Sequence, residues 1–529
     1  MAVTRTIVMK HSARSRVLVL GEHPINKEPF EQRRLTPTSI KLDQLDDNAL
    51  TNSARGVLLS PFPGKFALIS EYFEQRLHRA CELGLMTAVY VPEKKVQVSE
   101  IRNAIYARFK LFEDIVEPEE RKRRFDSLFW VYLGETDWNI AETFARYDPG
   151  PPLGAPVIDQ SSVVGSLDRE TETLLKRAFH DCDRITVRRL AGGRTAKETL
   201  CVFANRPDAE FGPQPMPFFV KFGDAEKINN EMRNYREFAE PFIPFHLRPS
   251  LDESRSVKTL NAAALVCNFV EGAVSLRHAL RAGQGDGVIF SFFEVTLRGL
   301  RSHTLNGPKK SGVIEAFFDP KEGRVKAHEI EKKHPSRIEQ LRDYGITRKP
   351  DKVEDVLRKC GASINTCEGL YHGDPHAGNI MVRNRDAIVI DFGSMGLSGP
   401  LSADPAILEV SLIFGTDDDD DPKSFNVWRK FVTYIFEDPL SPPLPRGDYP
   451  QFTWLHKAVR ELRHVVTCCG VEDPEALIIL AGCLLRFGRF PPLKLASKRL
   501  NALAERRRAY ALVVADQICT KVEELYAAR

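Results

Sequence analysis

The stretch YHGDPHAGNIMVRNRDAIVIDFG, residues 371–393, constrains this chain more than any other. It sets Asp374 five residues before Asn379, then runs through the apolar AIVI of 387–390 to Asp391, Phe392 and Gly393. That order predicts a loop followed by a buried strand that delivers a carboxylate at its end. A solvated loop has no need of it. Transfer of a phosphoryl group does, because it takes an acceptor-orienting base, oxygen ligands for magnesium, a lysine on the phosphates and a backbone cover. Asp374 suits the first task, and Asn379 and Asp391 the second. His372 and His376 lie four apart with Cys367 near, which also admits a zinc site. The aspartate and asparagine of the loop favour magnesium, and histidines that brace the loop are the reading adopted.

The step from Asp374 to Asn379 is similar to the D-x-x-x-x-N of a kinase catalytic loop, and Asp391 to Gly393 is similar to D-F-G. As a whole the block resembles the catalytic segment of the aminoglycoside phosphotransferase and choline kinase family. His372, Gly373, Asp374, His376 and Asn379 match its H-G-D-x-H-x-x-N pattern, and Ile390 to Gly393 match I-D-F-G. The resemblance covers about residues 165–529 and implies a bilobal kinase-like fold that uses ATP and Mg2+. It implies Asp374 as the base and Asn379 and Asp391 as metal ligands. Gly373 stands where protein kinases carry the arginine of H-R-D, and no A-P-E follows, so the resemblance is to small-molecule kinases.

An N-terminal lobe is then expected upstream. RITVRRLAGGRTAKETLCVFAN (184–205) reads as strand, glycine turn, strand. Gly192 and Gly193 would let backbone N–H groups approach phosphates, and a plain hairpin turn fits as well. MPFFVKFG (216–223) is a third strand; its Lys221 matches the phosphate-binding lysine, or is a strand-end lysine. A lysine among apolar strands needs a carboxylate. Glu231, on one helix face with Ile228 and Tyr235, is the expected partner, matching the family's E-x-x-x-Y. The strand near 264–269 is the expected hinge, where the backbone from Val266 to Phe269, Asn268 included, would read an adenine edge.

Residues 1–95 alternate apolar runs and helical spacing, which predicts a small parallel α/β unit. It resembles a receiver domain in outline, and a Rossmann-like domain is equally compatible. Glu22, His23 and Ser60 stand where a receiver's acidic pair and phospho-acceptor would be, so contacts with a protein partner are expected of it rather than phosphorelay. Residues 96–164 read as a charged helical connector with a Pro/Gly linker at 147–156, and the expected lobes are 165–270 and 271–529. The acidic run 417–421 reads as a solvated loop; Asp404 either bonds back to the catalytic loop or caps the following helix, and the cap is the reading adopted.

A formal net charge of +3 over 529 residues gives no reason to expect nucleic acid. No apolar run approaches a membrane span, so no membrane partner is expected. Ten cysteines without a C-x-x-C pair read as reduced thiols, hence a cytoplasmic expectation. The fold expected is α/β plus α+β, a parallel sheet followed by a bilobal phosphotransferase with a helical C-terminal subdomain. The function expected is ATP- and Mg-dependent transfer to the hydroxyl of an unidentified small molecule. The alternative is a regulatory nucleotide-binding module with little turnover.

Overall fold

The computed structural model describes residues 14–21, 25–41, 44–45, 50, 54–59, 79–80, 83–91, 129–133, 137–147, 149–162 and 166–190. It continues over 198–206, 216–259, 262–305, 308–319, 323–396, 398–441, 448–492, 495 and 497–527. The chain divides into two compact units, Met1–Asn230 with Ser250–Phe269, and Glu231–Pro249 with Val270–Arg529.

The first unit opens with β1 (Arg16–Leu20), β2 (Thr36–Ile40), β3 (Ala54–Leu59), β4 (Met86–Val91) and β5 (Phe129–Leu133). They form one parallel sheet in the order β2-β1-β3-β4-β5. This is the order of flavodoxin-type doubly wound sheets. All six residues of β3 are buried, as a strand covered on both faces requires. The helix Asp137–Arg146 packs Ile140, Ala141 and Phe144 on Val17, Leu58 and Met86. Gly56 lets it approach, since a Cβ there would lie 2.4 Å from the Phe144 ring.

Two readings of this region change. The sheet runs on past residue 95, because FWVYL at 129–133, inside the stretch read as helical connector, forms β5. Four β-branched or aromatic residues and a leucine outweigh the charged flanks once β4 offers an edge. The Pro/Gly stretch is also no slack tether. The wholly buried Arg177 donates to the carbonyls of Lys258 at 2.7 Å, Leu83 at 2.9 Å and Pro151 at 3.2 Å, and also to that of Pro149. Arg14 adds a bond to Pro151 O at 2.7 Å. A buried guanidinium must find acceptors, and these carbonyls supply them. Glu22, His23 and Ser60 lie outside the described residues.

The second sheet of this unit holds β6 (Val157–Ser162), β7 (Arg184–Arg189), β8 (Glu198–Asn205), β9 (Met216–Asp224), β10 (Val257–Lys258) and β11 (Ala262–Asn268). Its order is β10-β11-β9-β8-β7-β6, antiparallel except for β6 on β7. The helix Arg169–Ala178, capped by Asp168, lays Leu174, Leu175 and Ala178 on one face with Val187, Val202, Phe218, Val220 and Phe222. The alternation of β9 therefore puts Lys221 on the opposite face.

The second unit is mainly helical. It carries β12 (Val274–Ser275), β13 (Lys309–Lys310), β14 (Thr366–Leu370), β15 (Ile380–Arg383), β16 (Asp386–Val389) and β17 (Ser398–Pro400) in two small sheets, β12-β15-β16 and β13-β14-β17. Asn384 and Arg385, with φ of 51° and 72°, close the β15–β16 hairpin in the way primed two-residue turns require. The helix Ala403–Phe414 is buried along its whole length, and Asp473–Arg489 and Lys498–Ala527 complete the core. The acidic run 417–421 is not wholly solvated. Asp417 and Asp420 pair with Arg281 at 2.9 and 2.8 Å, and Asp420 also meets the buried Arg507 at 3.0 Å. Among the described residues no helix is long and apolar enough to cross a membrane.

Candidate active site

The loop 371–379 connects β14 to β15 and is wound on itself. The N–H of His376 donates to Asp374 O at 2.8 Å, that of Asn379 to His376 O at 2.8 Å, and Asn379 Nδ2 to Asp374 O at 3.0 Å. His372 is fully buried and its Nδ1 accepts the Asp374 N–H at 3.3 Å, while His376 Nδ1 accepts from Gly378 N at 3.1 Å. Both histidines thus bond to loop amides. Among the described residues no three His, Cys, Asp or Glu side chains gather as a metal cage, so the zinc alternative gains no support.

Asp404 departs from its expected role. Ser402, not Asp404, precedes the helix, and the Asp404 carboxylate reaches back to accept His372 N at 2.8 Å and Gly373 N at 2.9 Å. The loop has two buried N–H groups to satisfy, and a carboxylate on the adjoining buried helix satisfies both. Burial pushes the Asp404 carboxyl up, against the pull of His372 and the two amides.

Beyond the hairpin, the N–H of Ile390 donates to Asn379 O at 2.9 Å, joining the end of the strand to the loop. Asp391 follows with φ 66°, a left-handed conformation that a non-glycine residue adopts only where its surroundings impose it. The imposed contacts come from residues 231–235. Glu231 Oε1 accepts Phe392 N at 3.4 Å, Asn234 Nδ2 donates to the carbonyls of Phe392 and Gly393 at 3.1 and 3.2 Å, and the Tyr235 ring meets Phe392 edge-on at 5.2 Å. Glu231, expected to fix a lysine, braces the D-F-G backbone. Asp391 and Asn379 offer carboxylate and amide oxygens. That is an open donor set of the kind magnesium completes with substrate phosphates and water.

Two arginines that sequence reasoning missed touch this loop. Arg486 Nη2 contacts Asp374 Oδ1 at 2.9 Å, and Arg324 Nη1 lies 3.4 Å from Gly373 O. The signal for Arg486 was present, since it stands on the long apolar helix of ALIILAGCLLRF, where a charge has to find a partner.

In the first unit, Lys221 is 7% exposed on β9, paired in register with Thr199 of β8 and Leu265 of β11. Gly192 and Gly193 lie outside the described residues. The expected adenine-reading amides have partners already. Val266 N donates to Ser256 Oγ at 3.1 Å and Asn268 N to Ser250 O at 3.1 Å. Both edges of this stretch of β11 are bonded, to β9 on one side and to residues 250–256 on the other, so neither N–H is open to a base edge.

Residues 225–422 match the family described as "Phosphotransferase enzyme family", a match that begins just after Lys221. No curated protein matches the chain. Among solved structures, the aminoglycoside phosphotransferase APH(4)-Ia with ADP and hygromycin B is similar at 14% identity and TM-score 0.36, over 63% of this chain and 93% of that one. Glucosamine kinase with glucosamine, ADP and inorganic phosphate is similar at 14% and 0.35, over 69% and 88%. Choline kinase from Cryptosporidium parvum Iowa II is similar at 11% and 0.34, over 64% and 90%. The stretch that matches the phosphotransferase enzyme family thus includes the H-G-D-x-H-x-x-N loop and the D-F-G turn described above.

Proposed function

We propose that this protein is a kinase that transfers a phosphoryl group from ATP to the hydroxyl of a small molecule, with magnesium. The observation that carries the reading is the convergence of Asp374, Asn379 and Asp391 within one hydrogen-bonded loop–hairpin unit, Asn379 being bonded directly to the Asp374 carbonyl. Asn379 and Asp391 would hold magnesium, which supplies charge neutralisation on the nucleotide phosphates. Lys221 would grip the α- and β-phosphates. Asp374 orients the acceptor hydroxyl and receives its proton as the new O–P bond forms and the bond to the leaving oxygen breaks. General-base action contributes on the order of 10²- to 10⁴-fold, so charge stabilisation and positioning carry most of the rate. The front α/β domain is proposed to serve contacts with a protein partner.

The test is ADP formation from magnesium-ATP with and without a metabolite extract of the producing cell, with Asp374→Asn as control. Extract-dependent ADP that vanishes in the variant supports the kinase. ATP binding without extract-dependent turnover would favour a regulatory nucleotide-binding module instead.

A further inference from the structure

Two guanidinium groups from outside the sequence motif converge on one carbonyl of the loop. Arg486 donates Nη1 to Gly373 O at 3.2 Å and Nη2 to Asp374 Oδ1 at 2.9 Å. Arg324 donates Nη1 to the same Gly373 carbonyl at 3.4 Å and to Ser394 Oγ at 3.4 Å, and Nη2 to Ser394 O at 3.3 Å. Each guanidinium is itself held over an aromatic ring, Arg486 over Phe490 at 5.5 Å and Arg324 over Tyr371 at 5.6 Å. Arg486 is only 8% exposed.

The glycine at 373 makes this arrangement feasible. Its φ is 80°, and a Cβ there would fall 2.6 Å from Arg324 Nη2 and 2.7 Å from Ser394 O. The Arg324 guanidinium therefore occupies the space that a side chain at 373 would enter. The peptide bond is planar, so fixing the Gly373 carbonyl also fixes the direction in which the chain enters Asp374. Arg486 goes further, because its second nitrogen reaches the carboxylate and restrains the Asp374 side chain itself. A single planar fork spanning a carbonyl and a carboxylate is a task for arginine, which a lysine's point charge cannot reproduce.

Resting on the phosphotransferase reading, we propose that Arg486 and Arg324 are positioning residues for the transfer. They lock the Gly373–Asp374 peptide, and Arg486 sets the Asp374 carboxylate for the acceptor hydroxyl. In this chain the two arginines brace the loop from elsewhere in the sequence, at the place where an H-R-D loop carries its own arginine next to the base.

The experiment has two readouts, on Arg486→Ala, Arg486→Lys and Arg324→Ala. For turnover with the extract-derived acceptor, Arg486→Ala should lower kcat about 100-fold with the affinity for magnesium-ATP unchanged, the scale expected of a misplaced reacting group. Arg486→Lys should recover only part, Arg324→Ala should lose about tenfold, and free guanidinium well below denaturing concentrations should restore Arg486→Ala in part. The second readout, amide hydrogen exchange over 371–379, needs no turnover, and Arg486→Ala should exchange about tenfold faster there. Exchange unchanged from wild type overturns the proposal whether or not the protein turns over. So does a kcat that stays at the wild-type value while exchange rises. Faster exchange in a protein whose wild type forms no ADP with any extract would refute the kinase, and with it the positioning role, while the loop brace itself would stand.

Discussion

Asp404 accepts the backbone N–H of Gly373 at 2.9 Å, and with it the N–H of His372 at 2.8 Å. A carboxylate 2% exposed on a buried helix thus satisfies two loop amides at once. Replacing it with alanine leaves both N–H groups buried without that acceptor. Asp404→Ala should cost on the order of 2–4 kcal/mol, read from urea unfolding. A loss within the error of the unfolding curve would mean that the loop finds other acceptors.

The proposed metal and base roles separate by measurement. Asp391→Ala should remove magnesium-dependent nucleotide binding, since it deletes the carboxylate oxygens at the end of the strand. Asp374→Asn should bind magnesium-ATP as tightly as wild type and lose about 100-fold or more in turnover. Calorimetric titration and ADP formation on the same preparations decide it, and retained turnover in Asp374→Asn would remove Asp374 from its role.

Gly373→Ala should be destabilising although it adds one methyl. The added Cβ meets the Ser394 carbonyl at 2.7 Å, a backbone atom that cannot step aside cheaply, and φ is 80°. The left-handed conformation alone costs a non-glycine residue about 1–2 kcal/mol. The melting temperature should fall and kcat should fall with it; an unchanged melting temperature would contradict the close approach of residue 394.

In the first unit, Arg255 grips Asp181 with both terminal nitrogens, at 2.6 and 2.7 Å. Burial opposes ionisation of Asp181, but the bonds and charge of Arg255 prevail and lower its pKa from 3.8 to about 2. The folded value lies below the unfolded one, so this stabilisation is fully present above about pH 5 and is lost as pH falls through 4 towards 2. Its size is on the order of 2 kcal/mol. Stability measured at pH 5 and pH 2 should fall more steeply in wild type than in Asp181→Asn.

Asp420 pairs with Arg281 at 2.8 Å and with Arg507, itself 2% exposed, at 3.0 Å. Asp420→Ala would leave the Arg507 guanidinium buried without this carboxylate, a cost of about 3–5 kcal/mol. Adding Arg507→Met should return a good part of that. A double variant no better than the single one would show that the pair is not the dominant interaction of the acidic run.

The sequence by itself determined the local arrangement of loop and hairpin. Asp374, Asn379 and Asp391 are legible because their spacing is a loop and hairpin too short to arrange otherwise, and every strand placed at a long apolar run is present. Local pattern says little about partners far away in the chain. Nothing near residue 373 announces that Arg324 and Arg486 will meet there, and of the two roles the sequence leaves open to Asp404, only the burial of its helix against the loop selects the bonds to His372 and Gly373. The same holds for β5, whose five residues become a strand beside β4 despite charged flanks, and for the Pro/Gly stretch, held by Arg177 through carbonyls that any sequence offers. Tertiary structure decided these points because buried charges and unpaired backbone groups must be satisfied wherever the fold brings a partner within reach.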